Sequence, residues 1–326
     1  MIDTLLRMRL FVAVYEERSF TAAAARENST QSGVTQHIRK LEDQFGIKLF
    51  VRGSASVTPT PIADTYYQGC IEVLRAHEQT RHHLKAHGSQ LSGEVVVGLT
   101  PTMTRSALAP ALARFKGSHP NVIVRVVDAY SDIVAEKVRA GDLDFGVVPG
   151  FTPETGMRST LFARSPEFLM SGPRAGVDLP HWAPVDLGRV GPLRIVLPSP
   201  LQARRRQLET YIVSTGARVI ERIEIDSSLA ARDFVVQTGD WVSVHPGISM
   251  LGEHDDGRAV VNPLAQPPLM LELFRIERSR HPLPPPAIAF ARTLQAETVK
   301  LQDEAIRLLR GEGRPQAPRP RLNQET

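Results

Sequence analysis

Gln31, Ser32, Thr35, Gln36 and Arg39 lie close together and have the chemistry to read nucleic acid. Amides, hydroxyls and a guanidinium donate to and accept from base edges, and the guanidinium also grips phosphate. The same stretch carries Val34, Ile38, Leu41 and Phe45 at i, i+4, i+7 and i+11, one apolar stripe at helical period. Ser29 and Thr30 stand just before it, offer oxygens that cap a helix start, and join the candidate contact set. Upstream, Phe20 and the alanines 22–25 predict a first short helix, broken at Asn28. Two short helices joined by a tight turn, the second with a polar outer face, read as a helix-turn-helix. An amphipathic helix pair in any helical domain gives the same stripe with a merely solvated outer face, so the flanking sequence matters.

The flanks favour the DNA reading. Leu6, Leu10, Phe11 and Val14 predict one more amphipathic helix to close a three-helix core. After Phe45, Gly46 ends the reading helix and residues 47–52 enter a short apolar strand. Residues 53–56 read as a turn and Val57-Thr58 as the return strand, which makes a wing; Arg52 and Ser54 are its candidate DNA contacts.

These residues resemble a family. The run Phe11-Val12-Ala13-Val14, then Ser19-Phe20-Thr21 with Ala23-Ala24, then 30–35 (Thr-Gln-Ser-Gly-Val-Thr), then Ile38 with Leu41-Glu42, then Gly46 with Leu49-Phe50 and Arg52, is similar to LysR-type transcriptional regulators. Gly33 and Thr35 stand where the family more often has alanine and serine, and Thr60-Pro61 where it usually has Ala-Gly. The resemblance implies promoter DNA as partner, a linker helix that builds a homodimer, a homotetramer, RNA polymerase as a further partner, and a two-lobed effector domain of the periplasmic-binding-protein type.

The chain has 326 residues, 42% hydrophobic and 23% charged, with a formal net charge of +4. That is ordinary for a globular protein of two or three domains. The first ninety residues hold 11 Lys+Arg against 9 Asp+Glu, so the DNA reading rests on pattern rather than on a basic block. A single cysteine, Cys70, allows no intramolecular disulfide and suggests a reducing compartment. The N-terminus lacks a signal-peptide layout and no stretch is long and apolar enough to span a bilayer, so a cytoplasmic protein with no membrane partner is expected.

Residues 1–58 are expected to form the winged reading head. Thr58 then reads as the cap of a helix with Pro59 at its first position, running over about 59–87. Ile62, Tyr66, Gly69, Val73, Ala76, Thr80 and Leu84 alternate at spacings of three and four, a seam for a second copy over residues 59–88. The alternative is a helix lying on its own domain. His77, His82, His83 and His87 invite a metal reading, but Arg81 and Lys85 beside them repel a cation, and no metal or other cofactor is expected.

From 89 to 310 strands alternate with helices, which predicts a parallel sheet covered by helices. Strands are expected at 94–99, 122–127, 143–148, 193–197, 219–225, 241–246 and 269–276, with helices at 106–115, 132–140, 204–214, 229–237 and 286–310. Pro110 complicates the first of these helices. By the resemblance, lobe 1 takes about 92–161 and 268–310 and lobe 2 about 162–267. Residues 311–326, rich in Pro, Arg and Gly, read as a disordered tail.

In such sheets a ligand sits at the carboxyl ends of strands, where helix starts offer free N–H groups. That singles out Thr100, Pro101, Thr102 and Met103, then Ala129 and Ser131, then Val148 and Pro149, and in lobe 2 Pro198, Ser199 and His245. Each alone is more often a turn or cap. Together their hydroxyls, helix starts and imidazole favour a small organic acid. The reading is a DNA-binding regulator controlled by that effector. Its rivals are a solute-binding protein and an α/β enzyme, and the sequence has no nucleophile elbow, no G-x-G-x-x-G after a strand, no H-E-x-x-H and no phosphate loop.

Overall fold

The computed structural model describes residues 2–52, 57–86, 91–150, 154–200, 202–252 and 258–312. Contacts divide the chain into two compact units. One takes residues from 1–90, 153–158 and 277–285, the other from 91–152, 159–276 and 286 onward.

In the first unit α1 (Ile2–Glu17), α2 (Phe20–Arg26) and α3 (Gln31–Phe45) enclose a core of Leu10, Phe11, Val14, Phe20, Ala23, Val34, Ile38 and Leu41. Each large side chain so buried contributes roughly 1.5–3 kcal/mol. Ser19 caps α2 by accepting the Ala22 N–H at 3.2 Å. Gly46 ends α3 in the left-handed region, at φ +64°, where a side chain is strained. β1 (Phe50–Arg52) and β2 (Val57–Pro59) pair antiparallel as the wing, with Val51 opposite Thr58. Glu42 joins reading helix to wing. Its buried carboxylate accepts the N–H groups of Leu49 at 2.8 Å and Phe50 at 3.3 Å, and Lys48 Nζ at 3.2 Å.

Two expectations need correction here. Phe45 is 59% exposed, because the stripe of α3 drifts off the core by its last turn. The long helix, α4 (Pro61–Ala86), starts at Pro61, not Pro59. Thr58 and Pro59 are held in β2 by pairing with Val51 and Phe50, and Thr60 marks the turn into the helix, its hydroxyl donating to the Lys48 carbonyl at 2.8 Å. α4 has two faces. Ala63, Tyr67, Cys70, Ile71 and Leu74 are buried in the unit's own core, while Ile62 and Val73 are 47% and 45% exposed. Tyr66 belongs partly to the core, its ring 4.7 Å from that of Phe11. The side chain of Leu84 and residues 53–56, with Ser54, lie outside the described residues.

The second unit runs β3 (Gly93–Leu99), α5 (Pro101–Ser106), α6 (Leu108–Ser118), β4 (Val122–Asp128), α7 (Ser131–Ala140), β5 (Phe145–Pro149), β6 (Met157–Ser171), β7 (Leu193–Leu197), α8 (Ala203–Thr215), β8 (Val219–Glu224), α9 (Ser228–Thr238), β9 (Val242–Pro246), β10 (Val260–Pro263), β11 (Met270–Arg278) and α10 (Pro285–Leu309). Among the described residues its sheet has nine strands in the order β4-β3-β5-β11-β6-β9-β7-β8, with β10 beside β6. β3 is parallel to β4 and β5, and β7 is parallel to β8 and β9. Two βα lobes thus meet at the neighbouring strands β6 and β11. Gly98 and Gly146 are register partners under α7, where a Cβ at Gly146 would come within 2.3 Å of Val134 Cγ1. Phe290 of α10 meets Phe115 edge-on and Phe145 at a tilt, which seats α10 on lobe 1.

The helix expected at 106–115 is α6, which starts after Ala107, so Pro110 falls in its first turn, where its missing N–H is harmless; the short α5 ahead of it was not expected. β6 was not expected as a strand, because Pro166 interrupts its apolar run. Its register with β9 begins just past that proline, at Glu167 opposite Pro246. β10 is short and was also not expected.

Glu42→Ala should destabilise the head by about 1–3 kcal/mol, because it leaves buried N–H groups without an acceptor. Chemical denaturation followed by helix signal measures this, and an unchanged midpoint would remove Glu42 as the joint between helix and wing.

Candidate nucleic-acid interface and ligand crevice

Thr30 starts α3 by accepting the Gly33 N–H at 3.1 Å, and its Oγ1 also lies 3.2 Å from Ser32 Oγ. A Cβ at position 33 would meet that Thr30 oxygen at 3.0 Å, so glycine leaves the cap undisturbed. With Val34, Ile38 and Leu41 buried, Gln31, Ser32, Gln36 and Arg39 are exposed and Thr35 half-exposed. Ser32, Thr35, Gln36 and Arg39 fall at i, i+3, i+4 and i+7 and therefore share one face. Ser29 is exposed ahead of the cap. Arg52 ends β1, and its side chain is outside the described residues. Lys40, beside Arg39, is also exposed and was not singled out from sequence, although its place one residue on from the polar face signalled it.

In the second unit Thr100 ends β3 and precedes α5. Its backbone carbonyl accepts the Met103 and Thr104 N–H groups at 2.8 and 3.1 Å. Its side chain does not cap the helix; Oγ1 is buried with no hydrogen-bond partner among the described residues. Pro101 and Thr102 are half-buried beside it. Met103 and Val148, also singled out for the ligand, have fully buried side chains. Ala129, Ser131 and Pro149 are half-buried at the neighbouring strand ends, with the Ala129 N–H donating to the Leu99 carbonyl at 3.1 Å.

Lobe 2 revises two further expectations. Ser199 already has an anion: its N–H and hydroxyl donate to Asp226 at 2.8 and 3.1 Å. A carboxylate effector would meet that aspartate there. Pro198 is tied by its carbonyl to Arg205 Nη1 at 2.6 Å. His245 is buried, with Nε2 2.8 Å from Ser243 Oγ and Nδ1 3.4 Å from Ser228 Oγ. Burial, then Arg204, Arg232 and Arg105, holds its pKa well below the usual imidazole value, so it is neutral at pH 7 and brings no charge to an anion.

The cations are arginines that sequence reasoning did not single out. Arg204 is spent on the buried Glu167, which it grips through two nitrogens at 2.8–3.0 Å. Arg232 on α9 is buried, and burial and the neighbouring Arg105 of α5 push its pKa down to about 10. Arg105 thus acts from lobe 1 on both Arg232 and His245 of lobe 2. α5 also packs against the 3-10 turn Gly247–Ser249 that follows β9, where the Ile248 N–H donates to Ser165 Oγ at 3.2 Å. The signal available in the sequence was an arginine two residues past the Thr100–Met103 run.

Among the described residues no group of three or more His, Cys, Asp or Glu is placed to hold a metal, and no helix is long and apolar enough to cross a membrane. The side chains of His82 and His83, and His87 itself, lie outside the described residues. Cys70 is buried, which pushes its thiol up to about 11 and leaves it unreactive at neutral pH.

Residues 5–64 match the bacterial regulatory helix-turn-helix protein, lysR family, and residues 88–298 match the LysR substrate binding domain. The chain is 31% identical over 147 residues to the transcriptional regulator CysL of Bacillus subtilis, an alignment spanning 45% of this chain and 49% of CysL. It is 29% identical over 230 residues to the nitrogen assimilation regulatory protein Nac of Klebsiella aerogenes, spanning 70% of this chain and 74% of Nac. Its fold is similar to full-length CbnR solved in complex with its target DNA, with a TM-score of 0.52 and 19% identity over 90% of this chain and 99% of that one. These relatives are regulators rather than enzymes. With its helix-turn-helix and its two-lobed domain both matched, the chain belongs to the LysR family of bacterial regulators.

Proposed function

We propose that the chain is a DNA-binding transcriptional regulator in which residues 1–58 read promoter DNA, 59–88 pair two copies, and 89–310 sense a small organic anion between the lobes. The exposed polar face of α3 supports the first part, and the target DNA bound by CbnR supports it by analogy. In this reading Gln31, Ser32, Thr35, Gln36 and Arg39 enter the major groove, Ser29 and Thr30 approach the backbone, and Arg52 and Ser54 follow from the wing. The protein then works in the cytoplasm, as a dimer through α4 and a tetramer on the promoter, where it meets RNA polymerase.

One arrangement carries the anion reading: the Thr100 hydroxyl on lobe 1, buried with no hydrogen-bond partner among the described residues, and Arg105 of the helix that follows, whose charge acts on the buried Arg232 of lobe 2. An anion there would accept hydrogen bonds from these donors. Each hydrogen bond to a charged group is worth roughly 1.5–3 kcal/mol. Because the groups come from both lobes, that energy favours one lobe angle over another and so biases the reading heads.

Three outcomes test this. Arg39→Ala should weaken promoter binding by about 1–3 kcal/mol and relax specificity at one base, as measured by gel shift on the protein's own upstream DNA. Unchanged affinity and footprint would take Arg39 out of the interface. Ile62→Glu with Val73→Glu charges the exposed face of α4 and should give monomers by light scattering; a variant that stays dimeric places the seam elsewhere. Tyr66 is left intact in that test because it also supports the head's core. In a thermal-shift screen of organic acids, wild-type protein should be stabilised by at least one, and both Thr100→Val and Arg232→Gln should lose most of that shift. Wild-type dose dependence in both variants would move the sensing site away from the crevice.

A further inference from the structure

The ends of α1 and α2 carry negative charge where a helix least tolerates it. Glu16 and Glu17 close α1 and Glu27 caps the C-terminus of α2, each beside the negative end of a helix dipole. The side chains of Glu16 and Glu27 are also buried, at 7% and 5% exposure. Such carboxylates persist only with cations beside them. Arg26 pairs with Glu16 and with Glu17, and Arg9 with Glu27 at 2.8 Å, but both arginines lie nearer the surface. The cation buried with them comes from far along the chain: Arg280, 9% exposed, with Nη2 2.6 Å from Glu27 Oε1 and Nη1 3.8 Å from Glu16 Oε2.

Three more contacts converge on this point. The Tyr67 hydroxyl of α4 donates to Glu16 Oε1 at 2.7 Å and accepts the Gly156 N–H at 3.3 Å, while the Gly156 carbonyl accepts the Ser279 N–H at 2.9 Å. Two turns further along α4, Arg75 makes a buried ion pair with Glu277. The backbone is held as tightly as the side chains. Arg18 and Asn28, which follow the two helix ends, both sit in the left-handed region at φ 52° and 50°, a conformation that non-glycine residues keep only where their surroundings impose it. The Arg18 carbonyl in turn accepts the Val57 N–H of the wing at 3.4 Å.

We infer that the segment Glu277–Pro285 is a clamp that locks the ends of α1 and α2 and the flank of α4 into one body. Arg280 closes the carboxylate cluster at the ends of α1 and α2, and Glu277 fixes α4. Glu277 is the last residue but one of β11, and Arg280 follows two residues past its end. That the head so held reads DNA rests on the function proposed above; the clamp itself does not.

Amide hydrogen exchange on the full-length chain tests it without DNA. Arg280→Gln should raise exchange about tenfold or more at residues 15–19, 26–29 and 279–281 and leave Val34, Ile38 and the strands of lobe 2 unchanged. Arg280→Lys, which keeps the charge and folds more safely, should give a smaller rise at the same sites. Adding Glu27→Gln to Arg280→Gln should perturb less than the two effects combined, because both sides of one buried pair are then neutral. Wild-type exchange at the helix ends in both Arg280 variants overturns the clamp. So does a uniform rise that includes the core of α3, which would make Arg280 an ordinary core residue, and so does strict additivity. On the upstream DNA, inserting one to three base pairs between half-footprints should cost wild type about tenfold in affinity and Arg280→Gln clearly less. Failure of both proteins to bind any fragment would count against the promoter function alone, with exchange still deciding the clamp.

Discussion

Backbone pairing between β6 and β11 is the constraint on which the sensing domain depends. These two strands lie side by side in the middle of the sheet, with β5 beyond one and β9 beyond the other. The Glu167 N–H donates to the Leu269 carbonyl at 2.8 Å and the Leu264 N–H to the Glu167 carbonyl at 3.0 Å, so the same residue ties both crossings. Its side chain then holds Arg204 in a buried pair. The remaining strands of each lobe extend outward from this seam.

Buried charge is treated in two ways in this protein. At Glu167–Arg204, Glu42–Lys48 and Glu277–Arg75, opposite charges meet, and desolvation is offset by close hydrogen bonds. At Arg105 and Arg232 like charges are brought together, with burial added to repulsion. Paired charges give a fixed geometry. At Arg232 the opposing charge of Asp233 only partly offsets burial and Arg105, so the guanidinium holds its proton less firmly than one in a close ion pair.

Much of the architecture was legible in the sequence because it is written in local periodicity. The stripe Val34, Ile38, Leu41 and the runs at 94–99, 122–127 and 193–197 follow from side-chain spacing alone, and the structure has helix or strand at each. The failures have tertiary causes. Phe45 matched the stripe, but the core ends before it. Thr58-Pro59 had a good helix-start pattern, yet pairing with β1 claimed both. Pro166 hid β6, since no local rule says where a register resumes. At the strand ends, periodicity pointed to Thr100 and Ser199 alike, but not to which hydroxyl would be left without a partner among the described residues. Ser199 looked equivalent to Thr100 until Asp226, from another loop, took its donors. The pairing of Arg105 with Arg232 requires both lobes and could not be read from either segment.

The strand order also dictates how the chain must be made. β5 ends at Pro149, but its neighbour β11 begins only at Met270, after the whole of lobe 2 has been synthesised. On a ribosome the inner edge of β5 therefore emerges early and stays without its partner, a row of open backbone groups of the kind that recruits stray strands. β7, β8 and β9 are contiguous in sequence apart from their helices and can close their sheet meanwhile. The lobe that begins first is finished last, and α10, which covers it with Phe290, is almost the final element to appear. A nascent chain stalled before residue 270 would hold a reading head and a closed second lobe with an open first one, the species most in need of a chaperone.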